Sequence, residues 1–259
     1  MSFLDDIVDF GSSVLDFVGG NSVVSGIAKT AATGFLLNQV QKSINSDNAK
    51  SDTAQSAKPD RGVREQVDPD TNHSIPVVYG QAFLSGIVTD AVLTNGNQTM
   101  YYCITICEKT GKTITGNDSV IHFDGFYWNQ GKISFKDDGI TVDTLTDEDG
   151  NVSSDISGLV KIWCYNGGSG SPVKPTGYAN GASTAAYNVF PGWNNTYTMD
   201  DLVFAIIRVD YSADKKVTGL GKLEFKMRNT MDQPGDVLYD YMTNTRYGAG
   251  ISPEEIYSA

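Results

Sequence analysis

Two different periods divide the chain. Over residues 1–45, Phe3, Leu4, Ile7, Val8, Val14, Leu15 and Val18 recur at helical spacing, with Asp5, Asp6, Asp9 and Asp16 mostly opposite. Gly19-Gly20 ends that helix, and Asn21 or Ser22 caps a second whose stripe runs through Val23, Val24, Ile27, Ala31, Leu37, Val40 and Ile44. The pair reads as an amphipathic helical arm, docked either on its own domain or into a neighbouring subunit, because exposed apolar stripes demand a partner. Lys29, Asn38 and Gln39 interrupt the second stripe, so no integral membrane segment is expected. Residues 46–60 carry Ser, Asp, Asn, Ala and Lys without a large apolar side chain, the composition of a flexible linker.

After the linker the period becomes alternating, and residues 61–234 read as a β-rich domain. Strands are predicted near Ser74–Tyr79, Ala82–Leu93, Gln98–Glu108, Asp118–Tyr127, Lys132–Phe135, Gly139–Leu145, Gly158–Tyr165, Leu202–Tyr211 and Gly219–Met227. Asn95-Gly96-Asn97, Asn129-Gln130-Gly131, Asp137-Asp138-Gly139 and Asp149-Gly150-Asn151 punctuate them as turns, and Ile121–Ile133 reads as a hairpin. Short strands at this spacing predict a mainly β fold, a barrel or sandwich. Residues 166–195 break the period as a loop insertion. Within it Phe190 and Trp193 are expected to fold back over the barrel end, whereas Tyr178 and Tyr187 are candidate contacts for a partner. Residues 235–259 read as helix, turn and helix. Val237, Leu238, Tyr241 and Met242 supply one apolar face, Gly248 and Gly250 supply the reversal, and Ser252-Pro253-Glu254-Glu255 starts the second helix.

Two of these segments carry a resemblance. Tyr239-Asp240, then Thr243-Asn244-Thr245-Arg246-Tyr247-Gly248-Ala249-Gly250 and a capped helix, closely resembles a segment of tailed-phage tail-tip hub proteins, of which lambda-like tail-tip attachment proteins are members. Thr245 stands where the family usually has proline, which loosens the turn. Upstream, Ser74-Ile75-Pro76-Val77-Val78-Tyr79-Gly80 followed by Gly86-Ile87-Val88 resembles the opening of the first hub domain in that family, with Pro76 at a strand edge that tolerates its missing N–H. The resemblance spans roughly residues 61–257. It implies a virion structural protein with rings of β-barrel domains, probing no substrate and needing no cofactor or metal. It further implies a homo-oligomer, a trimer by family analogy, in the viral tail after assembly in the host cytoplasm. The implied partners are the tube end, the distal tail protein, a companion hub or tip protein and the tape measure. Pro76, Tyr79, Gly80, Tyr239, Asp240, Arg246, Tyr247, Gly248 and Gly250 become structural candidates, with Arg246 expected to grip carbonyls or a carboxylate above Tyr247. Family hub proteins continue for hundreds of residues past this turn, so a split hub or a fragment is expected where the chain stops at Ala259.

Charge sharpens the picture. The formal net charge of -12 disfavours binding to nucleic acid and to anionic membranes, and suits the wall of a channel through which DNA slides unheld. Arg208, Lys215, Lys216, Lys222, Lys226 and Arg228 form the exception, a basic patch on two strands that either meets an acidic neighbour or is simply solvated. Cys103, Cys107 and Cys164 are expected as small core residues; the first two lie about 13 Å apart in one strand at ~3.3 Å per residue, too far for a disulfide. Counting an EF-hand from Asp147 puts Val152 at the sixth position and Gly158 at the twelfth, where glycine and glutamate belong, so Asp147–Asn151 reads as a hairpin turn. No nucleophile elbow, phosphate loop or paired Cys motif accompanies His73 and His122. Two other readings stay open: a receptor- or glycan-binding tail module using the aromatic loop, and a cell-wall hydrolase using paired carboxylates.

Overall fold

The alternating segments assemble into two antiparallel sheets in the computed structural model, which describes residues 74–257. The expected helical arm and linker lie outside the described residues. In chain order the strands are β1 (Gln81–Leu84), β2 (Ile87–Thr94), β3 (Thr99–Glu108), β4 (Ile121–Trp128), β5 (Gly131–Phe135), β6 (Val142–Thr146), β7 (Val152–Ser153), β8 (Val160–Asn166), β9 (Pro172–Val173), β10 (Leu202–Asp210) and β11 (Leu223–Asn229). Helices α1 (Pro234–Thr243) and α2 (Pro253–Tyr257) follow. One sheet runs β1-β11-β4-β5-β6-β7 and the other β2-β3-β10-β8-β9. The fold is therefore mainly β, as the alternation predicts, with a short helical segment near the C-terminal end.

The sheets meet at two corners, which makes the sandwich barrel-like. At the first, the expected single strand Ala82–Leu93 breaks at Ser85-Gly86, sending β1 into one sheet and β2 into the other. Gly86 has φ +71°, and a Cβ there would lie 2.5 Å from the Ile104 side chain and 2.9 Å from the Thr105 carbonyl. Only glycine combines that backbone with that approach. At the second corner Thr141 bridges Lys161, and the Ile162 N–H donates to the Ile140 carbonyl at 2.9 Å. The expected strand Ser74–Tyr79 shrinks to one parallel bridge, Val77 to Glu108, and the Val78 carbonyl accepts from the Asn229 side chain instead of a ladder partner.

Aromatic side chains fill the six-stranded side. Phe126 meets Phe135 edge-on at 4.9 Å and Phe225 at 5.8 Å, and Phe123 meets Phe225 at 6.2 Å. On the five-stranded sheet, Cys103, Tyr165, Phe204 and Ile206 form a cluster that the 166–201 excursion covers with Ala186 and Phe190. Alternate residues Ile104, Ile162, Ala205 and Ile207 occupy the opposite face and are fully buried. Both faces of β3 and β10 are thus covered, which explains their near-continuous apolar runs. All three cysteines are buried, and burial pushes the Cys103 thiol up to about 12.

Turn chemistry follows the sequence closely. Asn129 and Gln130 join β4 to β5 with φ of 48° and 74°, the primed geometry that suits strand twist. Asp147 accepts from the Asn151 N–H at 2.8 Å and the Asp149 N–H at 3.0 Å, so its oxygens fasten the β6–β7 turn. The basic patch, however, is divided: β10 and β11 lie in different sheets. Three of its six members are also paired, Arg208 to Asp210 at 3.0 Å, Lys222 to Glu224 at 3.7 Å and Arg228 to Asp124 at 2.7 Å. Neighbours in sequence are separated here because the connection between them crosses the sandwich.

Candidate functional site

The two resembling segments meet at a single carboxylate. Helix α1 buries Asp240, which is 2% exposed, at one end of the barrel. The Tyr79 hydroxyl donates to Asp240 Oδ2 at 2.7 Å, the Tyr247 hydroxyl to the same oxygen at 2.6 Å, and the Gly111 N–H to Oδ1 at 2.9 Å. Tyr79 and Asp240 are 161 positions apart. Burial, then the bond to Asp240, raises the pKa of both Tyr79 and Tyr247 well beyond the ordinary phenol range, so both remain donors. Three donors on one buried carboxylate satisfy it in place of water.

That carboxylate also explains why part of the expected apolar face of α1 turns outward, leaving Val237 and Met242 half-buried. Leu238 is 59% and Tyr241 55% exposed, while Asp240 points inward. Helical spacing reports only that these positions share a face; which face is buried depends on where the donors wait. Gln233 and Pro234 start the helix, and Asp236 accepts the Ile114 N–H at 2.9 Å.

Beside this group a second polar knot ties the strand ends. Asn229, 1% exposed, donates to the Val78 carbonyl at 2.7 Å and to Thr110 Oγ1 at 2.8 Å, and accepts the Met231 N–H at 2.9 Å. Gly80 donates to the Met231 carbonyl at 3.1 Å and its own carbonyl accepts the Asn229 N–H at 2.7 Å. The Pro76 carbonyl accepts the Glu108 N–H at 2.9 Å, a use of proline that needs no N–H.

Arg246 extends over the end of β3. Its Nε lies 2.8 Å from Glu108 Oε2, its Nη1 3.6 Å from Asp201 Oδ2 and 3.4 Å from the Asp200 carbonyl. Burial raises the Glu108 carboxyl, and Arg246 pulls it back only in part. The Tyr247 hydroxyl beside it is engaged by Asp240. The reversal itself is closed by backbone bonds, from Ala249 N–H to the Tyr241 carbonyl at 2.8 Å, Gly250 to Asn244 at 3.1 Å and Ile251 to Met242 at 2.8 Å. A Cβ on Gly248 would collide with the Tyr241 carbonyl, so this glycine answers a close approach. Around Thr245, Asn244 Oδ1 accepts the Arg246 N–H at 2.8 Å and holds the bend. Tyr239 is half-buried on α1, and its carbonyl accepts the Thr243 hydroxyl at 2.8 Å.

The loop tyrosines divide differently from expectation. Tyr178 is used inside the domain: its hydroxyl accepts the Phe135 N–H at 2.9 Å and its ring meets Phe135 edge-on at 5.4 Å. Tyr187 is half-buried in the single helical turn Ala186–Asn188. Phe190 is buried, and Trp193 packs against it at 4.6 Å while donating to Asp90 Oδ2 at 2.7 Å.

Chain comparisons add no identity: no family model matches, and no curated protein matches. Among the described residues, no group of three or more His, Cys, Asp or Glu side chains is placed to hold a metal. No described helix is long and apolar enough to cross a membrane. Sequence reasoning missed Glu108, Gly111, Asn229 and Asp201. Nothing local marks them, because each acquires its role from a residue far along the chain. What this constellation can do is lock: it joins the segment before β1, the end of β3, the end of β11 and helix α1 with buried and half-buried hydrogen bonds.

Proposed function

We propose that this chain is a structural subunit of a tailed-phage tail tip or baseplate hub, acting mechanically rather than by turnover. The observation that carries the reading is the Tyr79–Asp240–Tyr247 triad, because both segments that resemble hub proteins contribute to it. A fold that commits its least replaceable residues to internal bracing is suited to bearing load. In this reading the β domains tile as a homotrimeric ring, the acidic surface keeps passing DNA unbound, and neighbouring tail proteins dock above and below. Two carboxylates at the site, Glu108 and Asp201, are both spent on Arg246.

The test is particle composition. Purified virions should contain the chain, and immunogold labelling should mark the distal end of the tail. Particles lacking the chain, or label spread over the head, would end the proposal.

A further inference from the structure

The excursion that covers the five-stranded sheet ends in a feature the bracing role does not use. Trp193 and Tyr197 stack nearly parallel, with centroids 5.2 Å apart and planes at 7°. Tyr197 is 44% exposed although one ring face is against Trp193. We propose that this stack is a binding platform for a neutral saccharide, one hexose ring resting on the outer face of Tyr197. The inference does not depend on the hub reading.

Three observations support it. First, the platform is built in advance. Phe190 backs Trp193, Asp90 holds the indole N–H, and the fully buried Ser169 donates its hydroxyl to the Tyr197 carbonyl while its own N–H reaches the Thr198 carbonyl at 2.6 Å. A ring fixed before binding loses little entropy on binding. Second, the surroundings are polar. Asn194, Asn195, Thr196 and Thr198 are exposed, and Asn194 spends its side-chain oxygen on Thr196, leaving its NH2 as a donor. An exposed aromatic ring whose chain neighbours carry amides and hydroxyls suits the chemistry of a sugar, whose C–H face is drawn to a ring's negative face while its hydroxyls need partners. A protein partner would ask for roughly 800 Å² of surface per side with an apolar centre. Third, the segment is poor in cations. Between Lys174 and Arg208 the chain has no Lys or Arg, while Asp200 and Asp201 follow the platform. Arg246, which reaches the Asp200 carbonyl at 3.4 Å, already pairs with Glu108 and Asp201, so a base could stack on Tyr197 but its phosphate would have no free counter-charge on the segment.

The test is an NMR titration of the intact protein, following the Trp193 indole N–H assigned with Trp193→Phe. The probes are maltotriose, chitotriose and lactose at millimolar concentration, with thymidine monophosphate as the nucleotide. At least one sugar should shift the signal saturably, and Tyr197→Ala should weaken that sugar by roughly tenfold or more, the scale of a lost stacking contact. Tyr197→Phe should retain most of the affinity, and Tyr211→Ala, another exposed tyrosine, should change nothing. Because Tyr197→Phe keeps the ring, it decides the question even if the alanine variant is less stable. No shift with any sugar, a shift that survives loss of the ring, or a stronger response to the nucleotide would overturn the proposal.

Discussion

Asp240 concentrates the physics of this molecule in one side chain. Removing it leaves two tyrosine hydroxyls and the Gly111 N–H without an acceptor. Asp240→Ala should therefore lower unfolding free energy by about 3 kcal/mol, the cost of stranding several buried polar groups. Tyr79→Phe and Tyr247→Phe each delete one charge-assisted bond and should cost about 1.5–2 kcal/mol. Since both donate to the same oxygen, the double variant should depart from additivity by roughly 0.5–1 kcal/mol in urea denaturation. Glu108 makes a pH-dependent contribution of the opposite kind to a well-paired acid. Its carboxyl is raised in the folded state, chiefly by burial, so the fold binds that proton more tightly than the unfolded chain does. Its contribution is full below the ordinary glutamate value of about 4.3 and is lost as pH rises through the raised folded value. Glu108→Gln, which cannot ionise, should gain stability relative to the native protein across that window. Parallel melts at pH 4 and above would show no divergence if Glu108 were unperturbed.

Elements show where local pattern was enough. The hairpins at Asn95–Asn97 and Asn129–Gln130 were legible because positive φ favours Asn and Gly, which stand at Asn95-Gly96-Asn97 and at Asn129, although Gln130 adopts it too. The strands β3, β8 and β10 were equally legible from their β-branched and aromatic runs. Strands β7 and β9, two residues each, were not, since two residues hold no period. The outward turn of Leu238 and Tyr241 was also hidden, because amphipathicity cannot foresee a buried acid. The C-terminal reversal gives a sharp local test. Gly248→Ala should open it, raising amide exchange at Ala249, Gly250 and Ile251 while β3 and β10 stay protected. Equal exchange in both proteins would mean that the collision is absorbed without cost.

At the scale of the whole molecule, three cations of the basic patch are already engaged within the chain, which changes what assembly should depend on. With Arg208, Lys222 and Arg228 paired internally, the proposed ring should weaken little with added salt. Native mass measurement should give three times the 27.9 kDa chain mass over a range of ionic strength. A monomer at all concentrations would count against the trimer. Arg246→Ala should reduce stability or trimer yield, because it leaves Glu108 buried without its cation.

The residues alone determined the fold class, most strand positions, the turns and the acidic balance, since propensity, period and charge are local or additive properties. They also marked Tyr79, Asp240, Arg246 and Tyr247 as candidates, without indicating that three of the four would share one hydrogen-bonded group. The tertiary structure decided that grouping, the splitting of one expected strand at Gly86, the division of the basic patch and the stacked pair at Trp193 and Tyr197. Each of those depends on contacts between segments far apart in the chain, whose meeting is set by how the two sheets close on one another.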